Sequence, residues 1–226
     1  MEKIRKHINF RTEEMILKEL AYSDNVYAWL LLHSYYNKQE KYNYIYKESI
    51  NFTKMQIQIH RSRQTISKRF NALIDKGIIR EFKYNGKKCY KIPYYREFEE
   101  LDGETVFQLL CLPFKEQKEE LIKVYAYLLK KKRIMEQEEK TSFLCSGTEL
   151  IQAGGKGANH DAAFERMRGV LTILQGAGII KFRTLLPRQK EDGTWEGQKM
   201  EIYKINRKAS DEWLGIKREE SEEKRK

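Results

Sequence analysis

The segment FNALIDKGII at 70–79 lies on LTILQGAGII at 171–180 in a single register. Leu73 matches Leu174, Gly77 matches Gly178 and Ile78-Ile79 matches Ile179-Ile180, always 101 positions apart. A recurring register constrains a fold strongly, because both copies must satisfy the same packing. The flanks match as well. SDNVYAWLLLHSYYNKQ and EELIKVYAYLLKKKR read as helical blocks ahead of the two copies. Each is followed by a strand-like piece (YNYIY, then TSFLC) and a short helix (FTKMQIQI, then GTELIQAG). The order helix, strand, helix, helix, strand, turn, strand is therefore read twice, as a tandem duplication.

The first copy has the sharper chemistry. In RSRQTISKRFNALIDKGII (residues 61–79), Ile66, Phe70, Leu73 and Ile74 fall on one helical face. Arg63, Gln64, Ser67, Lys68 and Asn71 fall on the other. Ser62 is placed to cap the start and Gly77 the end. Two short strands then flank YNGKK, where Asn85-Gly86 is the signature of a type I′ turn. A helix, a glycine and a basic hairpin in that order predict a winged helix-turn-helix. In such a unit the third helix enters the major groove, which admits an α-helix and displays a distinct donor and acceptor pattern for each base pair. Arg63 would bind guanine, Gln64 would pair with adenine, and Thr65 and Ser67 would meet phosphate or base. Arg61, Lys68 and Arg69 would lie on the backbone. Lys83, Lys87 and Lys88 would reach a flanking phosphate or the minor groove from the wing. The competing readings are a solvated basic face and a protein-docking surface.

Net charge supports a polyanionic partner. Lysine and arginine number 44 against 33 acidic residues, a net charge of +11, which favours nucleic acid first and an anionic membrane second. No apolar run is long enough to span a bilayer, and MEKIRKHINF lacks the apolar core of a signal peptide. The expectation is a cytoplasmic protein. Cys89, Cys111 and Cys145 are too widely spaced for a zinc site or a disulfide framework and read as buried thiols.

The second copy is less cationic. Lys156, Asn159, His160, Arg166 and Arg168 are interleaved with Asp161 and Glu165. Its longer wing mixes Arg183, Arg188, Lys190 and Lys199 with Glu191, Asp192 and Glu196. Lys156, Asn159, His160, Arg166 and Arg188 are the candidate DNA contacts there, in a weaker second site or a protein contact. His160 reads as a polar surface or capping residue. GGKG at 154–157 lacks the spacing of a phosphate-binding loop, and no His-x-His, H-E-x-x-H, G-x-S-x-G or D-x-D-x-D-G pattern occurs. The expectation is a non-enzyme without metal or cofactor.

Two units of similar length, with LIKVYAYLLKKKR followed by SGTELIQ and LTILQGAGIIKF, resemble the plasmid replication initiators with tandem winged-helix domains, of the type found in low-GC bacterial plasmids, phages and mobile elements. The likeness is one of element order across about residues 10–206. It implies a cytosolic protein that binds repeated origin sites in double-stranded DNA, with a homodimer or replication proteins as further partners. Arg61, Arg63, Gln64, Ser67 and Lys68 fall on the matching recognition helix. The expected fold is mainly α with small β-hairpin wings (α+β), as two tandem winged helix-turn-helix domains. Residues 1–95 form the first, 96–113 a connector, 114–208 the second and 209–226 a charged tail. The expected function is sequence-specific DNA binding in replication initiation; a transcriptional regulator and a docking adaptor are the alternatives.

Overall fold

The computed structural model describes residues 4–13, 19–20, 23–93, 97–113, 118–146, 149–150, 160–196 and 199–215. Strand β1 (His7–Arg11) leads to helix α1 (Asp24–Leu32), which is buried along its whole length. A helix apolar on every side belongs in the middle of a core. Strands β2 (Tyr35–Asn37) and β3 (Tyr42–Tyr46) follow, then α2 (Phe52–Ile59) and α3 (Arg63–Asp75). The hairpin β4 (Arg80–Tyr84) and β5 (Lys87–Pro93) closes on β3, giving a four-stranded antiparallel sheet in the order β2-β3-β5-β4.

Next come β6 (Phe98–Asp102) and α4 (Gly103–Cys111). β6 returns to pair with β1 over the full length of both strands. Asp102 caps α4 by accepting from the Thr105 amide at 2.8 Å. The second half starts with the long helix α5 (Lys118–Gln137), then β7 (Phe143–Ser146) and α6 (His160–Gly176). β8 (Ile180–Leu185), a small hairpin of β9 (Arg188–Gln189) and β10 (Trp195–Glu196), and β11 (Lys199–Ile205) complete it. Here the antiparallel order is β7-β11-β8, which is the connectivity of β3-β5-β4 one half earlier. α1 packs on α4 and α5, and the buried apolar side chains of both halves form one continuous cluster.

The helix ends show why the register repeats. After α3, the Gly77 amide donates to Ile74 at 2.8 Å and the Ile78 amide to Leu73 at 2.9 Å. After α6, the Gly178 amide donates to Gln175 and the Ile179 amide to Leu174, both at 2.9 Å. These are paired Schellman bonds, which need a left-handed residue after the cap. Gly77 and Gly178 supply it at φ 65° and 71°. Each glycine turns the chain from helix into strand and drops an isoleucine pair into the core.

The fold class is a correction. The chain is α+β with extensive antiparallel sheet, not a mainly α chain carrying two hairpin wings, and it is not identified as a pair of winged helix-turn-helix domains. Two pairings account for the difference. The expected helix through HSYYNKQ stops at Leu32, and Tyr35–Asn37 becomes a strand across from Tyr42, Asn43 and Tyr44. Rows of tyrosine gain more from cross-strand ring contacts than from helix. The second pairing joins β1 to β6 across most of the first half, which no local pattern announces. β5, paired with β3 on one side and β4 on the other, lies inside the four-stranded sheet.

Candidate nucleic-acid interface

α3 starts where its sequence says it should. The Ser62 hydroxyl accepts from the Thr65 amide at 3.2 Å and lies 2.9 Å from the Thr65 hydroxyl. α2 ends at His60, whose left-handed backbone (φ 53°) reverses the chain and whose ring meets the Cys111 carbonyl at 2.9 Å. Residues 60–62 thus hold α2 and α3 at a fixed angle. Ile66, Phe70 and Leu73 are buried, with Phe70 edge-on to Tyr90 of β5 at 5.0 Å. That contact fixes α3 to the sheet.

Arg63, Gln64, Lys68 and Asn71 are exposed, and with half-buried Ser67 they line one open depression that continues past Ala72 to Asp75. Among the described residues, Arg63 and Lys68 have no ion-pair partner and Gln64, Ser67 and Asn71 make no side-chain hydrogen bond. The depression therefore presents two cations, two amides and a hydroxyl to solvent, with the Asp75 carboxylate at its far end. Such groups can pair bidentately with base edges and meet phosphate.

The structure separates this set from other candidates. The Thr65 hydroxyl is engaged by the cap. Arg69 is half-buried and places one guanidinium nitrogen in the interior, so it leaves the exposed face. Arg61 is half-exposed in the α2–α3 turn. The β4–β5 hairpin turns at Asn85 and Gly86, both at positive φ (48° and 76°), as a type I′ turn requires. Strand alternation then divides its lysines. Lys83 and Lys88 are cross-strand partners on the face that carries Tyr90, towards α3. Lys87 lies on the opposite face, 3.1 Å from Glu48 and 5.5 Å from the Tyr46 ring. Period-two alternation alone would have separated them in the sequence.

Local charges modulate the hairpin. Glu81, beside Lys83, is held below the ordinary carboxylate range, first by the Tyr90 hydroxyl at 2.9 Å and then by Lys47 at 3.4 Å. Lys87 is pushed up by its contact with Glu48.

The second half assembles no comparable surface among the described residues. Lys156 and Asn159 lie outside them, and His160 opens α6 with its side chain undescribed. Arg166 turns inward and contacts both carboxylate oxygens of Glu120 on α5, at 2.8 and 3.0 Å. Glu120 is only 1% exposed, so this is a structural ion pair. Arg168 meets Glu165 at 3.4 Å. Arg188 stands on the β9–β10 hairpin beside Lys190, Glu191 and Asp192, far in sequence from α6 and mixed in charge. Arg183 pairs with Glu201.

No family model, curated protein or solved structure matches this chain. The functional reading therefore rests on the geometry of α3 and its hairpin. Among the described residues, no group of three or more His, Cys, Asp or Glu side chains is placed to hold a metal ion, and no helix is long and apolar enough to cross a membrane.

Proposed function

We propose that this chain binds double-stranded DNA with sequence preference, reading the major groove through the exposed face of α3. The observation that carries the reading is the solvent-facing set of Arg63, Gln64, Ser67, Lys68 and Asn71, whose polar groups have no partner among the described residues, next to Lys83 and Lys88 on the same side of the sheet. An α-helix fits the major groove, and arginine and amide side chains read guanine and adenine there. Lys83 and Lys88 serve the flanking backbone. The net charge of +11 adds a general attraction to polyanions. The resemblance to plasmid and mobile-element replication initiators makes repeated origin sites the first candidate target, and a regulatory operator the second.

Selection from a random duplex pool, followed by sequencing of the bound fraction, tests this directly. An enriched motif is expected. Direct repeats fit an initiator and a palindrome fits a dimeric repressor. Gln64→Ala and Arg63→Ala should each erase preference at one position, by roughly 1–3 kcal/mol of discrimination. Absence of enrichment, or preferences unchanged in both variants, overturns base reading by α3.

A further inference from the structure

The opposite face of the four-stranded sheet carries a second, chemically different surface. On β3, Asn43 and Ile45 turn into the protein while Tyr44 and Tyr46 lie half-buried on the opposite face; Tyr42 shares that face but is covered, at 2% exposure. Tyr35 lies across from Tyr44, Tyr84 across from Lys87, and Lys91 across from Tyr44, so all share that outer face. The rings form a continuous patch: Tyr35 is 5.6 Å from Tyr44 and 5.8 Å from Tyr46, and Tyr44 is 4.6 Å from Tyr84. Two cations stand among them. Lys87 is 5.5 Å from the Tyr46 ring, and Lys91 covers Tyr42 at 3.9 Å. Tyr35 is 54% exposed, and Tyr44, Tyr46 and Tyr84 are half-buried.

The sheet itself does not demand this surface. The corresponding outward face of β7-β11-β8 carries Leu144, Glu201 and Arg183, the last two in an ion pair. Among the described residues of that sheet, the exposed tyrosine is Tyr203, at the β11 irregularity, and it makes no ring contact, so the same strand connectivity is built without a cluster of rings. A patch of rings threaded with lysines has the two properties that recognise an unpaired strand: flat π-faces for bases and cations for phosphates. A duplex cannot use the rings, because its bases are already stacked on one another. The Lys87–Glu48 contact is between exposed side chains and offers little resistance to an incoming phosphate.

We propose that the outer face of the four-stranded sheet binds single-stranded nucleic acid, with bases stacked on Tyr35, Tyr44, Tyr46 and Tyr84 and phosphates met by Lys87 and Lys91. The site lies across the sheet from α3, so it does not depend on the duplex-reading face.

Fluorescence anisotropy with two labelled strands of about twelve units tests it, a length within the site size of known single-strand binders. One is oligothymidine and the other is abasic, with the same phosphates and no bases. The thymidine strand should bind about ten-fold more tightly or better. Tyr35→Ala and Tyr84→Ala should each weaken it by about five-fold or more, in line with the loss of one stacked base, and leave the abasic strand unchanged. Lys68→Ala on α3 should alter neither preference. Equal affinity for the two strands, or no binding of either, overturns the proposal. So does a loss seen with Lys68→Ala and not with Tyr35→Ala. Crosslinking of the unmutated chain to a 5-iodouracil strand provides a readout free of folding effects. Adducts on Tyr35, Tyr44, Tyr46 or Tyr84 are expected, and adducts confined to other segments refute the site. Failure of duplex selection would leave all of these outcomes standing.

Discussion

The matched glycines allow a controlled test of how the two halves are held together. Gly77 and Gly178 have the same backbone role, with φ 65° and 71°. Alanine in that left-handed region costs roughly 1–2 kcal/mol at either site. Their surroundings differ. A methyl on Gly77 would find only the flexible Arg80 guanidinium, at 3.9 Å. A methyl on Gly178 would come within 2.9 Å of the Ser210 Cβ and 3.4 Å of its amide nitrogen. Ser210 is not free to withdraw. Its amide donates to the Ala177 carbonyl at 2.9 Å, and the Ala209 amide donates to the Thr105 hydroxyl at 2.9 Å. Relief of that overlap adds about 1–3 kcal/mol, the usual range for an overpacked site. Gly77→Ala should therefore lose about 1–2 kcal/mol and Gly178→Ala about 2–5 kcal/mol. In a chain of this size each kcal/mol lowers Tm by about 2–4 °C. Urea titration with circular dichroism, checked by calorimetry, measures both variants. Ser210→Gly in the Gly178→Ala background should restore most of the excess loss, since the two positions touch. Equal losses for the two glycines, or no rescue, would refute the close packing of residues 206–210 against the end of α6.

Lys88→Ala should flatten the dependence of duplex affinity on salt by about one phosphate's worth, while Lys87→Ala on the other face leaves the slope unchanged; titration from low to high salt measures both. Glu120→Ala should destabilise the fold by roughly 1.5–3 kcal/mol, because Arg166 loses its charge-assisted bonds to a buried carboxylate at the α5–α6 contact; a denaturation midpoint close to that of the unmutated chain would show the pair to be dispensable. Burial opposes ionisation of Glu149, yet hydrogen bonds from Lys131 and Tyr127 overcome it and hold the carboxyl below its ordinary value of 4.5. A depressed acid contributes stability in full above its unfolded pKa and loses it as pH falls through the folded one. The Tm gap between the unmutated chain and Glu149→Gln should accordingly close on acidification below pH 4.5, and a gap that widens would reverse the sign of this contribution. Burial first, then the Glu149 carboxylate, pushes the Cys145 thiol up to about 12, so alkylation at pH 8 followed by peptide mapping should leave it unmodified in the folded chain.

Much of α3 was legible in the residue order. Its apolar stripe, the Ser62 cap, the closing glycine and the Asn85-Gly86 turn are local signals, each dependent on neighbours within a few positions. The side chains on that face, Arg63, Gln64, Ser67, Lys68 and Asn71, followed from helical period alone. Other assignments required partners from far along the chain. Arg166 resembled a surface cation until Glu120 of α5 was placed against it. Arg69 sits on the same helix as Lys68, yet its head group enters the interior. The tyrosines at 35, 42, 44 and 46 were visible as residues, but their assembly into one patch needed the β2–β3 and β3–β5 registers.

The sequence by itself determined both ends of α3, the closing glycine of α6, the turn chemistry and the 101-residue register, because capping bonds and positive φ angles are satisfied within a single turn of chain. The tertiary structure alone decided that antiparallel sheet, and not helix with two small wings, makes up so much of the chain. β1 pairs with β6 across most of the first half of the chain, and Tyr35–Asn37 joins a sheet instead of extending α1. Sheet pairing is a bond between distant segments, and its energy is absent from any window of sequence that holds only one of them.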